Sequence, residues 1–175
     1  MKRIGFLINP VAGIGGQAGM KGSDDRAGRE DALRRGYQKT AARRAGQCLE
    51  SFAKAIKQAG QNADVTFLAP EGEMGGGLLK ESLFPFQTVG ETCPGEATTR
   101  EDTIRFAKTM KEEGADLLVF CGGDGTARDL CQALGSEFPV LGVPAGVKMY
   151  SACFAVNPWK AGELLGEFVR GKQMA

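Results

Sequence analysis

Ala115-Asp116-Leu117-Leu118-Val119-Phe120-Cys121-Gly122-Gly123-Asp124-Gly125-Thr126 is the stretch that decides the fold. After Asp116 it is apolar to Cys121, the pattern of a buried strand. Three glycines then turn the chain toward a helix predicted over Thr126 to Leu134. Glycines tolerate positive φ and let successive N–H groups point into one concavity, which suits a phosphate. The N-terminal dipole of the next helix adds to that field. Thr126 can donate to a phosphate oxygen or cap the helix. Asp124 is unwelcome beside bare phosphates unless it binds Mg²⁺, orients a cation or accepts a proton from an incoming hydroxyl. The plain alternative is a tight strand-to-helix turn with Asp124 as a mere cap. Gly-Gly-Asp-Gly-Thr directly after a buried strand favours the functional alternative.

Outward from this turn, strands and helices alternate. Ile4 to Ile8 is a short apolar run and reads as the first strand. From Thr40 to Gln58, Ala41, Ala45, Cys48, Leu49, Phe52 and Ile56 recur at helical spacing, and Gly60 closes that helix. Ala63 to Leu68 reads as a second strand ended by Pro70. Gly75-Gly76-Gly77 reads as a flexible loop, within a Gly72–Gly77 segment suited to a lid. Leu78 to Leu83 reads as a turn of helix and Gln87 to Val89 as a short strand. Thr98 with Glu101 matches a capping box for a helix running to Glu113 and Gly114. Pro139 to Val143 reads as another strand, and Asn157-Pro158 opens a last helix as N-cap and first-turn proline. Alternation of this kind predicts an α/β fold, a parallel sheet covered by helices. In such sheets ligands bind beyond the carboxyl ends of the strands. The stretches after Ile8, Cys121 and Val143 are therefore expected to converge on one rim.

Two of those stretches add to the central turn. In the stretch Asn9-Pro10-Val11-Ala12-Gly13-Ile14-Gly15-Gly16, the run from Gly13 through Gln17 and Ala18 fits a loose G-x-G-x-x-A pattern, but Asn9-Pro10 intervenes after the strand and no acid ends a second strand about 20 residues on. A Walker A loop is absent. What remains is a polar, glycine-rich turn, as readily a flexible loop as a binding site. Pro144-Ala145-Gly146-Val147-Lys148-Met149-Tyr150-Ser151 contains a candidate phosphate partner, Lys148. Its Tyr150 and Ser151 suit hydrogen bonds to a sugar or phosphate. Alternatively it is a loop entering a helix whose Met149, Cys153 and Phe154 are core. Lys21-Gly22-Ser23-Asp24 is read as a solvated charged loop.

Composition bounds the chemistry. The chain has 175 residues, 42% of them hydrophobic and 25% charged, which suits one domain with a real core. A net charge of +1 gives no support for a nucleic-acid or polybasic membrane surface. The basic run from Arg26 to Arg44 is offset by Asp24, Asp25, Glu30 and Asp31. Histidine is absent, which removes histidine bases, Ser-His-Asp triads and histidine-ligated zinc. Asp124 becomes the leading acid–base candidate. The five cysteines, Cys48, Cys93, Cys121, Cys131 and Cys153, show no CxxC spacing. They read as reduced, buried thiols of a cytoplasmic protein, with Cys121 and Cys131 packing as small hydrophobes. No apolar run is long enough to cross a membrane.

Together these stretches resemble the superfamily of ATP-NAD kinases, diacylglycerol kinases and sphingosine kinases. Gly122-Gly123-Asp124-Gly125-Thr126 matches its GGDGT signature residue for residue. Asn9-Pro10 with Gly13 is similar to the N-P-x-x-G turn of the lipid-kinase branch, and Pro144-x-Gly146 stands where that branch has P-x-G-T-x-N. Asp129 takes the place of an acid that often follows the signature. The likeness is above all to bacterial and archaeal ATP-NAD kinase-like proteins, in which Lys21 to Asp24 and Pro144 to Ser151 resemble recurrent sequences. Val147, Lys148 and Tyr150 depart from the lipid-kinase pattern.

The resemblance implies a three-layer Rossmann-like domain of the ATP-NAD kinase N-terminal type over residues 1–175. It implies truncation from a two-domain kinase, lacking the β-rich C-terminal domain and its Asn-Asp or Asn-Glu pair and inactive alone. It implies transfer of phosphate from ATP, or polyphosphate, with Mg²⁺, to the 2′-hydroxyl of NAD or another hydroxyl-bearing small molecule. Asp124 is then catalytic, and Asn9, Gly13, Gly122, Gly123, Gly125, Thr126, Gly146 and Lys148 bind nucleotide. A homo-oligomer is allowed and nucleic acid is not expected as a partner. The alternatives are a kinase of lipids or small alcohols, and a nucleotide-binding regulator without catalysis.

Overall fold

The computed structural model describes residues 1–13, 34, 40–60, 64–90 and 98–171. Five strands form one parallel sheet: β1 (Lys2–Ile8), β2 (Val65–Ala69), β3 (Phe86–Thr88), β4 (Leu117–Gly122) and β5 (Val140–Pro144). The helices are α1 (Ala41–Gln58), α2 (Gly76–Glu81), α3 (Arg100–Glu112), α4 (Asp124–Leu134) and α5 (Pro158–Val169). The strand order is β3-β2-β1-β4-β5. The chain leaves β1 in one direction, then returns to its other side with β4. The winding therefore reverses between β1 and β4. Loops leaving adjacent strands there part to opposite faces, and a crevice opens beyond their carboxyl ends.

Alternation along each strand feeds two cores. Ile4, Phe6, Ile8, Phe67, Val119 and Cys121 join the cluster that α1 and α5 cover. Leu7, Leu68, Leu118 and Phe120 join the one that α3 and α4 cover. The result is the expected α/β/α sandwich. Phe6, Phe52, Phe67, Phe106 and Phe120 are fully buried, each contributing about 1.5–3 kcal/mol of apolar burial. Asn157 caps α5 as its sequence predicts, its Oδ1 accepting the Lys160 N–H at 2.8 Å, with Pro158 in the first turn.

Four local expectations are corrected. Gly76 and Gly77 lie inside α2, and Gly75 is buried against β1, where a Cβ would stand 2.7 Å from the Phe6 carbonyl oxygen. The glycines are there for close approach, not for a flexible loop. The capping box is Thr99 with Asp102, one residue on from Thr98 and Glu101: the Thr99 Oγ1 accepts the Asp102 N–H at 3.2 Å and Asp102 Oδ2 accepts the Thr99 N–H at 2.9 Å. No helix runs through Met149–Phe154. Instead Phe154 pairs with Gly142 in an isolated bridge and its ring meets Phe120 at 5.4 Å. Cys131 is exposed, whereas Cys48 and Cys121 are buried. Cys93, Gly15, Gly16 and the Lys21–Asp24 loop lie outside the described residues.

Candidate active site

The three stretches converge beyond the carboxyl ends of β1, β4 and β5. Register brings Ile8 beside Cys121 and Gly122 beside Pro144. Side chains then tie the loops together. Asn9 Nδ2 donates to Thr126 Oγ1 at 3.0 Å, and Asn9 Oδ1 accepts the Val11 N–H at 3.2 Å. Asn9 thus joins the β1 turn to the first turn of α4. One amide N–H and one oxygen lone pair remain to it. Gly13 has φ +88°, and a Cβ there would strike the Thr40 hydroxyl and stand 2.5 Å from the Ala145 carbonyl oxygen. Its glycine is required by the approach of the β1 turn to the β5 loop.

That loop is braced by α1. Thr40 Oγ1 donates to Ala145 O at 2.8 Å, and one Arg44 amine donates to Pro144 O at 3.1 Å and Gly146 O at 3.2 Å. Three successive carbonyls are held from one helix turn. Ala145 N–H reaches back to Gly122 O at 3.0 Å. In the sequence Arg44 ends a basic run offset by acids, and nothing local distinguishes it from its neighbours.

Helix α4 starts two residues earlier than expected. Gly123 is its N-cap and Asp124 its first residue. The first intrahelical bond runs from Ala127 N–H to Gly123 O at 3.0 Å, and no side chain caps the turn. The N–H groups of Asp124, Gly125 and Thr126 lack intrahelical acceptors. Gly122 is buried and its missing Cβ would stand 2.7 Å from Thr126 Oγ1, whereas a Cβ on Gly123 would meet nothing within 4 Å among the described residues. The turn is therefore closed on its Gly122 side and open on its Gly123 side. An open N–H face at an uncapped helix start fits a phosphate.

Asp124 does not cap its own helix. Its carboxylate reaches the loop after β5. Oδ1 accepts the Ser151 hydroxyl at 2.6 Å, the Ser151 N–H at 2.7 Å and the Tyr150 N–H at 3.0 Å. Oδ2 shares only the Tyr150 N–H, at 3.1 Å. Burial pushes the carboxyl pKa up. The Ser151 hydroxyl and N–H, the Tyr150 N–H and the charge of Arg128 outweigh it and hold the group below the usual aspartate value. Asp124 is a carboxylate at neutral pH with one saturated oxygen and one accepting oxygen. Ser151 thus bonds protein here rather than a sugar. Tyr150 and Lys148 are exposed, and Lys148 has no ion-pair partner among the described residues. Gly146 lies on the same loop, where a Cβ would press only the flexible Met149 Cε at 2.9 Å. Asp129 pairs with Arg100 at 2.7 Å.

The family model described as ATP-NAD kinase N-terminal domain matches residues 4–173. The chain belongs to that family. Comparisons with curated protein sequences and with solved structures find no match. Membership makes this a domain of a kinase family, one that uses ATP and a divalent metal in general. No group of three or more His, Cys, Asp or Glu side chains able to hold a metal occurs among the described residues. Among the described residues no helix is long and apolar enough to cross a membrane.

Proposed function

We propose that this domain carries the hydroxyl-activating site of an ATP-NAD kinase-like phosphotransferase, moving the terminal phosphoryl group of ATP, or of polyphosphate, to the 2′-hydroxyl of NAD. The observation that carries this is the Asp124 carboxylate at the winding reversal, ionised, with Oδ1 filled and Oδ2 accepting little. Asp124 Oδ2 accepts the hydrogen bond of the acceptor hydroxyl. It takes the proton as the hydroxyl oxygen bonds to phosphorus, and the electron pair of the broken bridging P–O bond leaves with ADP. The Gly125 and Thr126 N–H groups and Lys148 hold donor phosphates. Asn9, Gly13, Gly122, Gly123 and Gly146 shape the backbone around them. Mg²⁺ offsets phosphate charge. The four free cysteines among the described residues suit a cytoplasmic enzyme.

Asp124→Asn tests this. NAD, diacylglycerol and sphingoid acceptors are each offered with Mg-ATP to the intact kinase that carries this domain and to its variant. The expected result is phosphorylation of NAD, falling about 10²- to 10⁴-fold in kcat in the variant with nucleotide binding retained. Equal turnover by both proteins refutes the role of Asp124. Turnover of a lipid acceptor alone refutes NAD. Nucleotide binding without turnover of any acceptor makes the domain a regulator.

A further inference from the structure

Ser151 stands 27 residues beyond Asp124 in the chain and supplies two of the three hydrogen bonds to Oδ1. A carboxylate oxygen has about two good lone-pair sites, so Oδ1 has nothing left to offer a ligand. The same bonds fix rotation of the carboxylate about its Cβ–Cγ bond. No helix-capping duty competes, because Gly123 is the N-cap. Ser151 itself sits between two anchored segments. On one side the carbonyls of residues 144–146 are held by Thr40 and Arg44. On the other, Gly142 N–H donates to Cys153 O at 2.8 Å and Ala155 N–H to Gly142 O at 2.9 Å. The two ends of the Ser151 segment are thus held by the sheet and α1 at points that do not involve Asp124.

We infer that Ser151 is the positioning residue for Asp124, its hydroxyl locking the carboxylate so that Oδ2 is left for the acceptor hydroxyl. This rests on the assignment of Asp124 as acceptor of that proton. Ser151 touches neither the acceptor nor the donor and acts only through Asp124. The backbone N–H bonds survive removal of the hydroxyl, so orientation is loosened rather than lost. Among the described residues, Arg128 from α4 acts on Asp124, and the Asp124 charge in turn raises the Cys153 thiol on the loop.

Ser151→Ala and Ser151→Thr, made in the intact kinase that carries this domain, are compared with the parent by carboxyl ¹³C titration of Asp124, by steady-state kinetics and by thermal melting. In Ser151→Ala the Asp124 titration is expected to rise toward the ordinary aspartate value, since one of the bonds that lower it is lost. kcat is expected to fall about 10- to 100-fold, the scale of a misplaced catalytic group, with KM for ATP unchanged. Ser151→Thr, which keeps the hydroxyl, is expected to restore both. An unchanged titration in Ser151→Ala overturns the inference, as does a kcat loss that Thr fails to rescue in a folded protein. The two assignments fail separately. If Asp124→Asn turns over normally, the role of Asp124 is refuted whatever Ser151 does. If Asp124→Asn is dead but Ser151→Ala matches the parent in titration and kcat, only the inference on Ser151 falls.

Discussion

Gly122 and Gly123 are adjacent and chemically identical, yet the structure predicts opposite costs for filling them. Gly122 lies at the end of the central strand β4, and an added Cβ stands 2.7 Å from both Cβ and Oγ1 of Thr126 and 2.9 Å from its Cγ2. Thr126 is buried and its hydroxyl is engaged by Asn9, so neither side can move aside cheaply. Overpacking of this kind costs about 1–3 kcal/mol, or about 2–4 °C in Tm per kcal/mol for a chain this size. Gly122→Ala is expected to lower Tm accordingly. Gly123 has φ −112° and ψ −174°, extended backbone open to any residue, with free space where a Cβ would go. The fold does not ask for glycine there. Gly123→Ser supplies the side-chain N-cap that α4 lacks, worth a few tenths of a kcal/mol over glycine. It also gains about 0.4–1 kcal/mol through the unfolded chain. Its Tm is expected to stay level or rise by up to about 4 °C. Yet the serine oxygen now accepts from the first-turn N–H groups and occupies the open face, so ATP binding is expected to weaken at least about tenfold, the ~1.4 kcal/mol scale of a competing hydrogen bond. Calorimetric melts and ATP titrations on the two variants suffice. A Gly123→Ser protein that binds ATP as tightly as its parent refutes the phosphate face on α4. A Gly122→Ala protein of unchanged Tm refutes the packing argument.

Two further outcomes follow from the same geometry. Arg44→Met keeps the aliphatic stem but removes the donors to Pro144 O and Gly146 O. Uncompensated carbonyls cost about 1–3 kcal/mol, and slackness in the loop reaches Ser151 and Asp124. Urea unfolding is expected to show that loss and steady-state assays a lower kcat; an unchanged kcat with lowered stability shows that the brace serves only the fold. Burial pushes the Cys48 thiol up to about 12 and raises Cys121 further, whereas Cys131 is exposed. A folded pKa raised this far keeps both buried thiols protonated throughout the range where the protein is handled. A thiol reagent at pH 8 is therefore expected to label Cys131 in the native protein and Cys48 and Cys121 only after unfolding, as read by peptide mass spectrometry.

What was legible in the sequence has a physical pattern. Leu117 to Cys121 reads as a strand because a strand covered on both faces must be apolar throughout. The N-cap at Asn157 reads correctly because its partners are its own neighbours. Convergence of three distant loops on one rim also follows from local information, since parallel strands joined by helices must all end on the same side. The failures are those of register and of distance. Thr98-x-x-Glu101 and Thr99-x-x-Asp102 satisfy one capping pattern equally well. The choice between them is made by which residues α3 buries, and Thr103, Phe106 and Met110 settle it from across the core. Gly75 to Gly77 look mobile by composition, but glycine also marks places where backbones touch, as Gly75 does at Phe6 O.

The site was half legible for the same reason. The residue types at Gly122 to Thr126 announce a phosphate turn with an acid, because that chemistry is written within five positions. The partner that orients the acid is not, because Ser151 lies 27 residues on and only the fold brings its hydroxyl to 2.6 Å from Oδ1. Arg44 is hidden more thoroughly: in a run rich in arginine and lysine, only the tertiary fold can show which guanidinium donates to Pro144 O and Gly146 O. Arg44 acts on the β5 loop from α1, and Ser151 acts on Asp124 from that loop. The acid proposed for catalysis is thus specified locally and its geometry non-locally. That division predicts how variants sort: changes within the glycine turn act on ligand and fold separately, as Gly122 and Gly123 do, whereas changes at Ser151 and Arg44 reach chemistry only through the position of Asp124.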